Sequence, residues 1–305
     1  MSHIETSDLR ADVVIVGGGP SGLGAALALG RATKRVLLCD GGVRRNAAAE
    51  HMHGFVTRDG IPPSEFRRIA REQLRPYDVM LKDVGVDSID PARLDGFEVK
   101  LADGSRVACR RVLLAIGLVD ELPDIPGLRE AWGRAAFGCP YCHGWEARGL
   151  PWGVLAEDTA ALEYAIFLTG WTSDVVAFTN GALEIARELR ARLERSGVRL
   201  EKRRVRRMLV GPDRRLAGVE MEDGALVARE AMVVRPRQRQ TDLVLRLGLA
   251  LEAQGLVRTD ETGQTSIPGI YAAGDLSAPM QAAIFAAAAG TRAAYLLNHA
   301  MNVAV

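Results

Sequence analysis

Two of the chain's four cysteines stand together in "FGCPYCHGWE", residues 137–146, as Cys139 and Cys142 with His143 directly behind them. A Cys-x-x-Cys pair can be a thiol–disulfide redox centre, half of a tetrahedral zinc site, or two ordinary core thiols. A structural zinc site takes four ligands, usually from two such pairs. Here Cys39 and Cys109 each stand alone in strand-like runs, and His143 is too close in sequence to Cys142 to make a good third ligand. No metal is therefore expected. Cys39 and Cys109 read as inert core thiols, whereas a pair flanked by Pro, His and Gly does not. As a redox centre the motif has the parts it needs. The thiolate is the attacking species, and a helix N-terminus or a nearby imidazolium favours it. Pro140 suits the first turn of a helix, where its missing N–H costs little. An imidazole at His143 can take a thiol proton or stabilise a thiolate. Glu146, three residues on, either shares a helix face with His143 and orients it or is a plain surface carboxylate; both readings stand.

Such a pair needs a scaffold and an electron partner. The stretch "ADVVIVGGGPSGLGAALALGRATKRVLLCD" (11–40) reads strand, glycine turn, helix, strand. Gly17, Gly19 and Gly22 make G-x-G-x-x-G, with Pro20 and Ser21 inside the turn, and the second strand ends on the acidic Asp40. In that context the motif is specific for a dinucleotide: glycines admit the pyrophosphate, the helix N-terminus offers free N–H groups, and the acid accepts from a ribose hydroxyl. Residues 97–117 read as a hairpin running into a buried strand, with Asp103-Gly104 as the turn. "LPDIPGL" (122–128) and "MVVRPRQRQTDLV" (232–244) look like crossovers. Between them, 152–180 again reads strand, turn, helix, strand, followed by a hairpin that turns near "MEDGA" (221–225). The chain closes with a strand, a Gly-Asp pair and an alanine-rich helix. That helix is apolar almost all round, so it should be buried or packed against a second subunit. The expectation is an α/β protein of two Rossmann-like, three-layer nucleotide-binding domains, the second inserted in the first: 1–118 and 237–305 form one, and 119–236 the other.

Charge points to no polyanionic partner: 39 Lys plus Arg oppose 38 Asp plus Glu, so neither nucleic acid nor an anionic membrane is favoured. The basic run "EKRRVRR" (201–207) reads as the solvated face of a strand, with a docking patch for an acidic partner as the sharper alternative. Apolar runs stop well short of the ~20 residues a membrane span needs, and no apolar signal core precedes the first strand. A cytoplasmic enzyme is expected, in which Cys-x-x-Cys is catalytic rather than a structural staple.

Taken in order, "VVIVGGGPSGLGAA", "LLAIG", a mid-chain Cys-x-x-Cys and "SIPGIYAAGD" resemble the low-molecular-weight thioredoxin reductase family over nearly the whole chain. The resemblance implies FAD in the split domain. It matches the family's second FAD motif to Gly274 and Asp275, the latter on the ribityl–phosphate region, and puts Gln281 and Ala282 near the flavin ring. It implies that Cys142 faces the flavin and Cys139 meets the substrate, and that the protein is a homodimer. The stretch "RRNAAAEHMHG" (44–54) corresponds to a region that approaches the flavin, where Asn46 would bond its polar edge. His51 and His53 either line the site or are satisfied loop histidines.

Departures from the family pattern are informative. A working NADPH turn would read close to G-G-G-D-S-A; here Asp158, Thr159 and Ala160 remain, but the glycine positions hold Leu155, Ala156 and Glu157. Bulk and a like charge then stand where a pyrophosphate would lie. The His-Arg-Arg that holds a 2′-phosphate is replaced by Thr179, Asn180 and Gly181. Asp-Gly after the second cysteine is replaced by His143-Gly144. These features resemble a branch of flavin-dependent dithiol oxidases that close disulfides in gliotoxin- and holomycin-type natural products without NADPH. The function this implies is oxidation of a small-molecule or peptide dithiol through Cys139–Cys142, with electrons passing to FAD and then to O2 as hydrogen peroxide. The alternatives are a disulfide reductase that uses NADPH in an unusual mode, with Arg187 as a contact, or takes electrons from a ferredoxin or flavin donor, and a flavoprotein module that does not turn over.

Overall fold

The computed structural model describes residues 9–42, 44–92, 96–181 and 183–303. The chain forms two compact units. One holds residues up to Arg45, Gly54–Val119 and Gln238 onward; the other holds Asn46–His53 and Asp120–Arg237. The second unit is inserted between two parts of the first, with the chain crossing at Val119/Asp120 and at Arg237/Gln238. The segment 46–53, grouped with the first domain on sequence, belongs to the second unit.

In the first unit a parallel core of strands Val79–Lys82, Val36–Cys39, Leu9–Val16 and Arg106–Leu114 is extended by the antiparallel strands Phe97–Leu101 and Val86–Pro91. On its edge away from Leu9–Val16, Arg106–Leu114 serves two neighbours: its first half pairs with Phe97–Leu101 and its second half, in parallel, with Ile270–Ala272. The apolar runs are covered on both faces, as parallel strands require. Val13 and Ile15 face one core with Val36, Leu38 and Leu113; Val14 and Val16 face the other with Leu37, Cys39 and Leu114. Helices Pro20–Arg31 and Ala283–Val303 cover the first of these faces. They approach through small residues: a Cβ at Gly24 would meet the Ala287 carbonyl oxygen at 2.8 Å, and one at Gly290 would overlap that of Ser21. The closing helix buries Gly290, Ala293, Ala294, Leu297 and Met301, while Phe285 and Tyr295 remain exposed at 48% and 64%. It is therefore one-sided in this chain, not buried all round.

The second unit is built on a fully parallel five-stranded sheet in the order Arg199–Glu201, Val175–Phe178, Trp152–Leu155, Ala231–Val233, Ala136–Phe137. Trp152, Val154, Val175, Ala177, Ala231 and Val233 face helices Thr159–Leu168 and Arg187–Arg195. The alternate residues Leu155, Val176, Phe178 and Met232 face an antiparallel sheet of Val205–Val210, Leu216–Met221 and Leu226–Val227. The basic run at 201–207 lies along an edge of that sheet and is neutralised locally: Arg203 bonds Glu201 and Asp223, and Arg206 and Arg207 share Glu220. This matches the solvated-face reading. No helix among the described residues is long and apolar enough to cross a membrane.

Candidate functional site

Open parallel sheets place their ligand-binding loops at the carboxyl ends of the strands, and both units do so. In the first unit the turn Gly17–Gly19 follows Leu9–Val16, Asp40 follows Val36–Cys39, and Gly274-Asp275 follows Ile270–Ala272. The three glycines of the turn do different work. Gly17 has φ +110°, and a Cβ there would overlap the Ala115 carbonyl oxygen; a Cβ at Gly22 would overlap that of Gly17. Both are needed for the protein's own packing. A Cβ at Gly19 would meet nothing within 4 Å. Gly19 caps helix Pro20–Arg31 with no side-chain hydrogen bond, so the helix N-terminus opens onto free space. That is the cradle a pyrophosphate needs: backbone N–H groups, a positive dipole end, and no side chain in the way. Ser21 donates to the Ala273 carbonyl at 2.9 Å and ties this turn to the end of the last strand.

Asp40 is buried, and its partner is a residue that the sequence reading missed. Arg67 forms a buried ion pair with it and donates to the Gly18 carbonyl at 3.0 Å. Gly42 N–H donates to the other oxygen of Asp40 at 3.2 Å. A carboxylate retains lone pairs for a ribose hydroxyl after these bonds. The signal was helical spacing: in Pro63–Leu74 the two buried residues are Arg67 and Leu74, seven apart on one face. Asp275 accepts from Arg45 at 2.8 Å, and the same guanidinium nitrogen donates to Gln281 at 2.5 Å. Gln281 and Gln238 exchange amide hydrogen bonds at 2.9 and 3.0 Å. Ala282 immediately precedes the closing helix, its carbonyl accepting from Ala286 N–H. Arg45, another residue missed on sequence, thereby joins the two matched FAD segments. The residues present fit FAD: Gly17, Gly19, Pro20, Ser21 and Gly22 as the phosphate turn, Asp40 for a ribose, and Gly274 and Asp275 at the adjoining strand end.

In the second unit the cysteine turn follows the edge strand Ala136–Phe137. Cys139 caps the four-residue helix Pro140–His143 in an extended conformation, with Pro140 at its first turn as expected. Both cysteines are half-buried. The core thiols differ sharply: burial pushes Cys39 and Cys109 up to about 12, so neither forms a thiolate near neutrality. His143 stacks on Phe137, rings 15° from parallel and 5.4 Å apart. Its Nδ1 and Nε2 are both buried without a hydrogen-bond partner. Burial holds His143 below the ordinary histidine value, against the opposing pull of Glu146, so it is neutral at pH 7. A buried imidazole whose two nitrogens are unpaired keeps its full hydrogen-bonding capacity.

Glu146 is exposed, as its surface-carboxylate reading has it. The helix ends at His143, and the turn that follows is closed by Ala147 N–H donating to the His143 carbonyl. The Glu146 carboxylate lies 3.6 Å from His53 Nε2 and makes no hydrogen bond to His143. The segment 46–53 brings His53 to this cluster, and His51 lies beside it with ring centroids 6.3 Å apart. Asn46 opens that segment, its carbonyl accepting from Ala49 N–H.

The degenerate nucleotide turn is also changed by the structure. Leu155 and Ala156 are buried at 8% and 0%, each packed in a core on its own side of the sheet. Their side chains do not stand over the turn; the strand's alternation points them inward. Glu157 does stand there, exposed, and accepts from Asn180 Nδ2 at 2.6 Å. Asn180, at φ +53°, accepts in turn from Val205 N–H at 2.9 Å. Asp158 caps helix Thr159–Leu168 by accepting from Ala161 N–H at 2.7 Å, a role that needs no ligand. Thr179 bonds the Gly181 carbonyl. The two places at which a phosphate-binding turn and a 2′-phosphate cation would be expected are thus joined to each other by a carboxylate–amide bond. Among the described residues no group of three or more His, Cys, Asp and Glu is arranged to hold a metal ion.

Two nucleotide-type units, a phosphate cradle and a mid-chain cysteine pair are the parts of a thiol–disulfide oxidoreductase. Residues 11–290 match the model of the pyridine nucleotide-disulphide oxidoreductases, and the chain belongs to that family. It is 32% identical over 304 residues to the thioredoxin reductase sirT of Leptosphaeria maculans, covering 94% of this chain and 93% of that protein. Among solved structures, HlmI superposes with a TM-score of 0.91 at 39% identity, over 99% of this chain and 95% of that one. An oxidoreductase from Agrobacterium tumefaciens superposes with 0.89 at 37% identity, over 96% and 99%. The protein is an oxidoreductase acting on sulfur groups, with a thioredoxin reductase-like fold.

Proposed function

We propose that the protein is an FAD-dependent dithiol oxidase that converts a small-molecule or peptide dithiol to its disulfide at the expense of dioxygen. The observation that supports this reading is the turn closed between Glu157 and Asn180, a carboxylate at the position the family pattern assigns to the NADPH phosphates. The cysteine pair and the glycine cradle are otherwise intact, which supports a supply of electrons from the thiol side.

A substrate thiolate attacks Cys139 Sγ of the oxidised pair, and Cys142 leaves as a thiolate. The substrate's second thiol, deprotonated, attacks its own first sulfur in the mixed disulfide; the new S–S bond forms and Cys139 departs as a thiolate. Neutral His143 is the group on this turn able to take a thiol proton, and its two unpartnered nitrogens leave that capacity unused in the resting chain. FAD, when bound, takes the electron pair from the dithiol and delivers it to dioxygen. In total, one dithiol and one O2 give one disulfide and one H2O2. Phe137 holds the His143 ring by stacking, and Pro140 fixes the turn that presents both cysteines. Cytoplasmic placement and a homodimer belong to the same reading; the exposed Phe285 and Tyr295 on the closing helix are the residues a second subunit would cover.

The test is an anaerobic titration of the FAD-loaded enzyme followed at the flavin absorbance. The dithiol should bleach the flavin and NADPH should not, and admission of air should restore the colour with one equivalent of peroxide. Rapid bleaching by NADPH would overturn the reading in favour of the reductase.

A further inference from the structure

The cysteine turn packs against helix Thr159–Leu168, and one side chain of that helix is in an unusual state. Tyr164 is half-buried, and its hydroxyl has the Gly138 carbonyl as an acceptor at 3.4 Å. That is long for an O–H···O bond, whose usual range is about 2.5–3.0 Å. A half-buried phenol with one stretched acceptor is placed to take a better one. Gly138 immediately precedes Cys139, so the hydroxyl lies beside the turn where a thiolate appears during turnover. The side chain is fixed from two directions: its ring stacks on Phe167 at 5.5 Å and 26°, and the Arg235 guanidinium lies 5.0 Å over it. Phe167 in turn contacts Tyr141, the residue between the two cysteines, at 6.2 Å. Helix and redox turn are therefore one packed body.

We propose that Tyr164 is a positioning residue for the redox pair, whose hydroxyl turns from the Gly138 carbonyl to hydrogen-bond the Cys139 thiolate as that thiolate leaves the mixed disulfide. This rests on the dithiol–disulfide reading of the pair but not on the identity of the electron acceptor. In the step concerned, the substrate S–S bond forms, the bond from substrate sulfur to Cys139 breaks, and the electron pair stays on Cys139 Sγ. The phenol keeps its proton throughout and only donates a hydrogen bond. It is suited to do so: burial raises Tyr164 to about 12, and Cys139 pushes it up more strongly than Cys142 does. Hydrogen bonds to charged groups are the stronger kind, so the bond favours the thiolate over the thiol.

Other titratable or charged groups of this region are Cys142, His143 and Tyr141 on the same turn, Glu146 just beyond, His53 against Glu146 with His51 beside it, and Arg235 over the Tyr164 ring. The experiment holds these constant. In a Cys142→Ser background, the rate of Cys139 alkylation by iodoacetamide is measured against pH, with Tyr164 intact, as Phe and as Leu. Tyr164→Phe keeps the ring contacts to Phe167 and Arg235 and removes only the hydroxyl. The midpoint should rise by about one pH unit, the size of one lost hydrogen bond to a charged group. Tyr164→Leu should shift it at least as far. Equal midpoints for Tyr and Phe would overturn the proposal, whether Leu shifts or not, because any remaining effect would then be packing. Alkylation reads the thiol without O2 or NADPH, so its outcome is independent of whether the dithiol oxidase reading survives the flavin titration.

Discussion

The barrier to NADPH should reside in one carboxylate. Glu157 occupies the third position of the degenerate turn, exposed and held by Asn180 at 2.6 Å, while Leu155 and Ala156 are packed away in the cores. A phosphate charge placed ~4 Å from it would be repelled by about 4 kcal/mol at an effective dielectric near 20, and by about 1 kcal/mol in bulk water. Because Glu157 is exposed, the true value falls between these limits. Removing the charge should then tighten NADPH by between about fivefold and a thousandfold. The assay is a calorimetric titration of FAD-loaded protein with NADPH under argon. Glu157→Gln removes the charge yet keeps an acceptor for Asn180, and Glu157→Gly also opens the turn. Wild type should show no saturable binding below millimolar NADPH, Gln should show weak binding, and Gly should bind more tightly still. Micromolar binding by wild type would refute the reasoning outright. Indifference of both variants would refute it too, because the missing glycines and cation, rather than charge, would then be the barrier.

Three further outcomes follow from the same geometry. Gly19→Ala should leave the apo fold within about 0.5 kcal/mol, because nothing lies within 4 Å of the new methyl, yet should reduce FAD retention; Gly22→Ala should destabilise the apoprotein by about 1–3 kcal/mol through overlap with the Gly17 carbonyl. Urea melts and flavin content after gel filtration read both. Arg67→Ala leaves Asp40 buried without its ion-pair partner and should cost about 3–5 kcal/mol, with Arg67→Met and Asp40→Asn combined recovering much of it. His143 has its folded value lowered by burial, so its contribution to stability is fully present above the ordinary value of 6.5 and is lost as pH falls through the lower folded value. Thermal melts across that window should show wild type losing more stability on acidification than His143→Phe, and parallel curves would count against a neutral buried ring.

Much of the fold was legible because its signals are local. The runs at 13–16 and 36–39 are apolar without alternation, as strands covered on both faces are, and the glycine spacing at 17, 19 and 22 needs no tertiary information to be read as a phosphate turn. Pro140 at the first turn of a short helix was legible for the same reason: its ring fixes the backbone wherever it stands. The two readings of Glu146 could not be separated on sequence, because three-residue spacing offers two side chains a shared face without showing whether they meet; the structure pairs Glu146 with His53 instead. Leu155 and Ala156 were read as obstructions because a sequence shows which side chains are large, not where they point. Arg45, Arg67 and Tyr164 were passed over among many similar residues; what distinguishes them is a partner far away in the chain.

The sequence by itself determined the class of chemistry, a thiol pair served by a dinucleotide cradle in an α/β protein, because residue type and spacing over a few positions are enough to specify backbone turns and reactive groups. Only tertiary structure decided which groups meet. The loop at 46–53 joins the cysteine unit and carries His53 to Glu146, Arg67 closes on Asp40 across 27 positions, and Glu157 finds Asn180 across 23. Such pairings depend on how sheets and helices pack over long separations, where the choice among many polar partners is made by burial and geometry that no local pattern records.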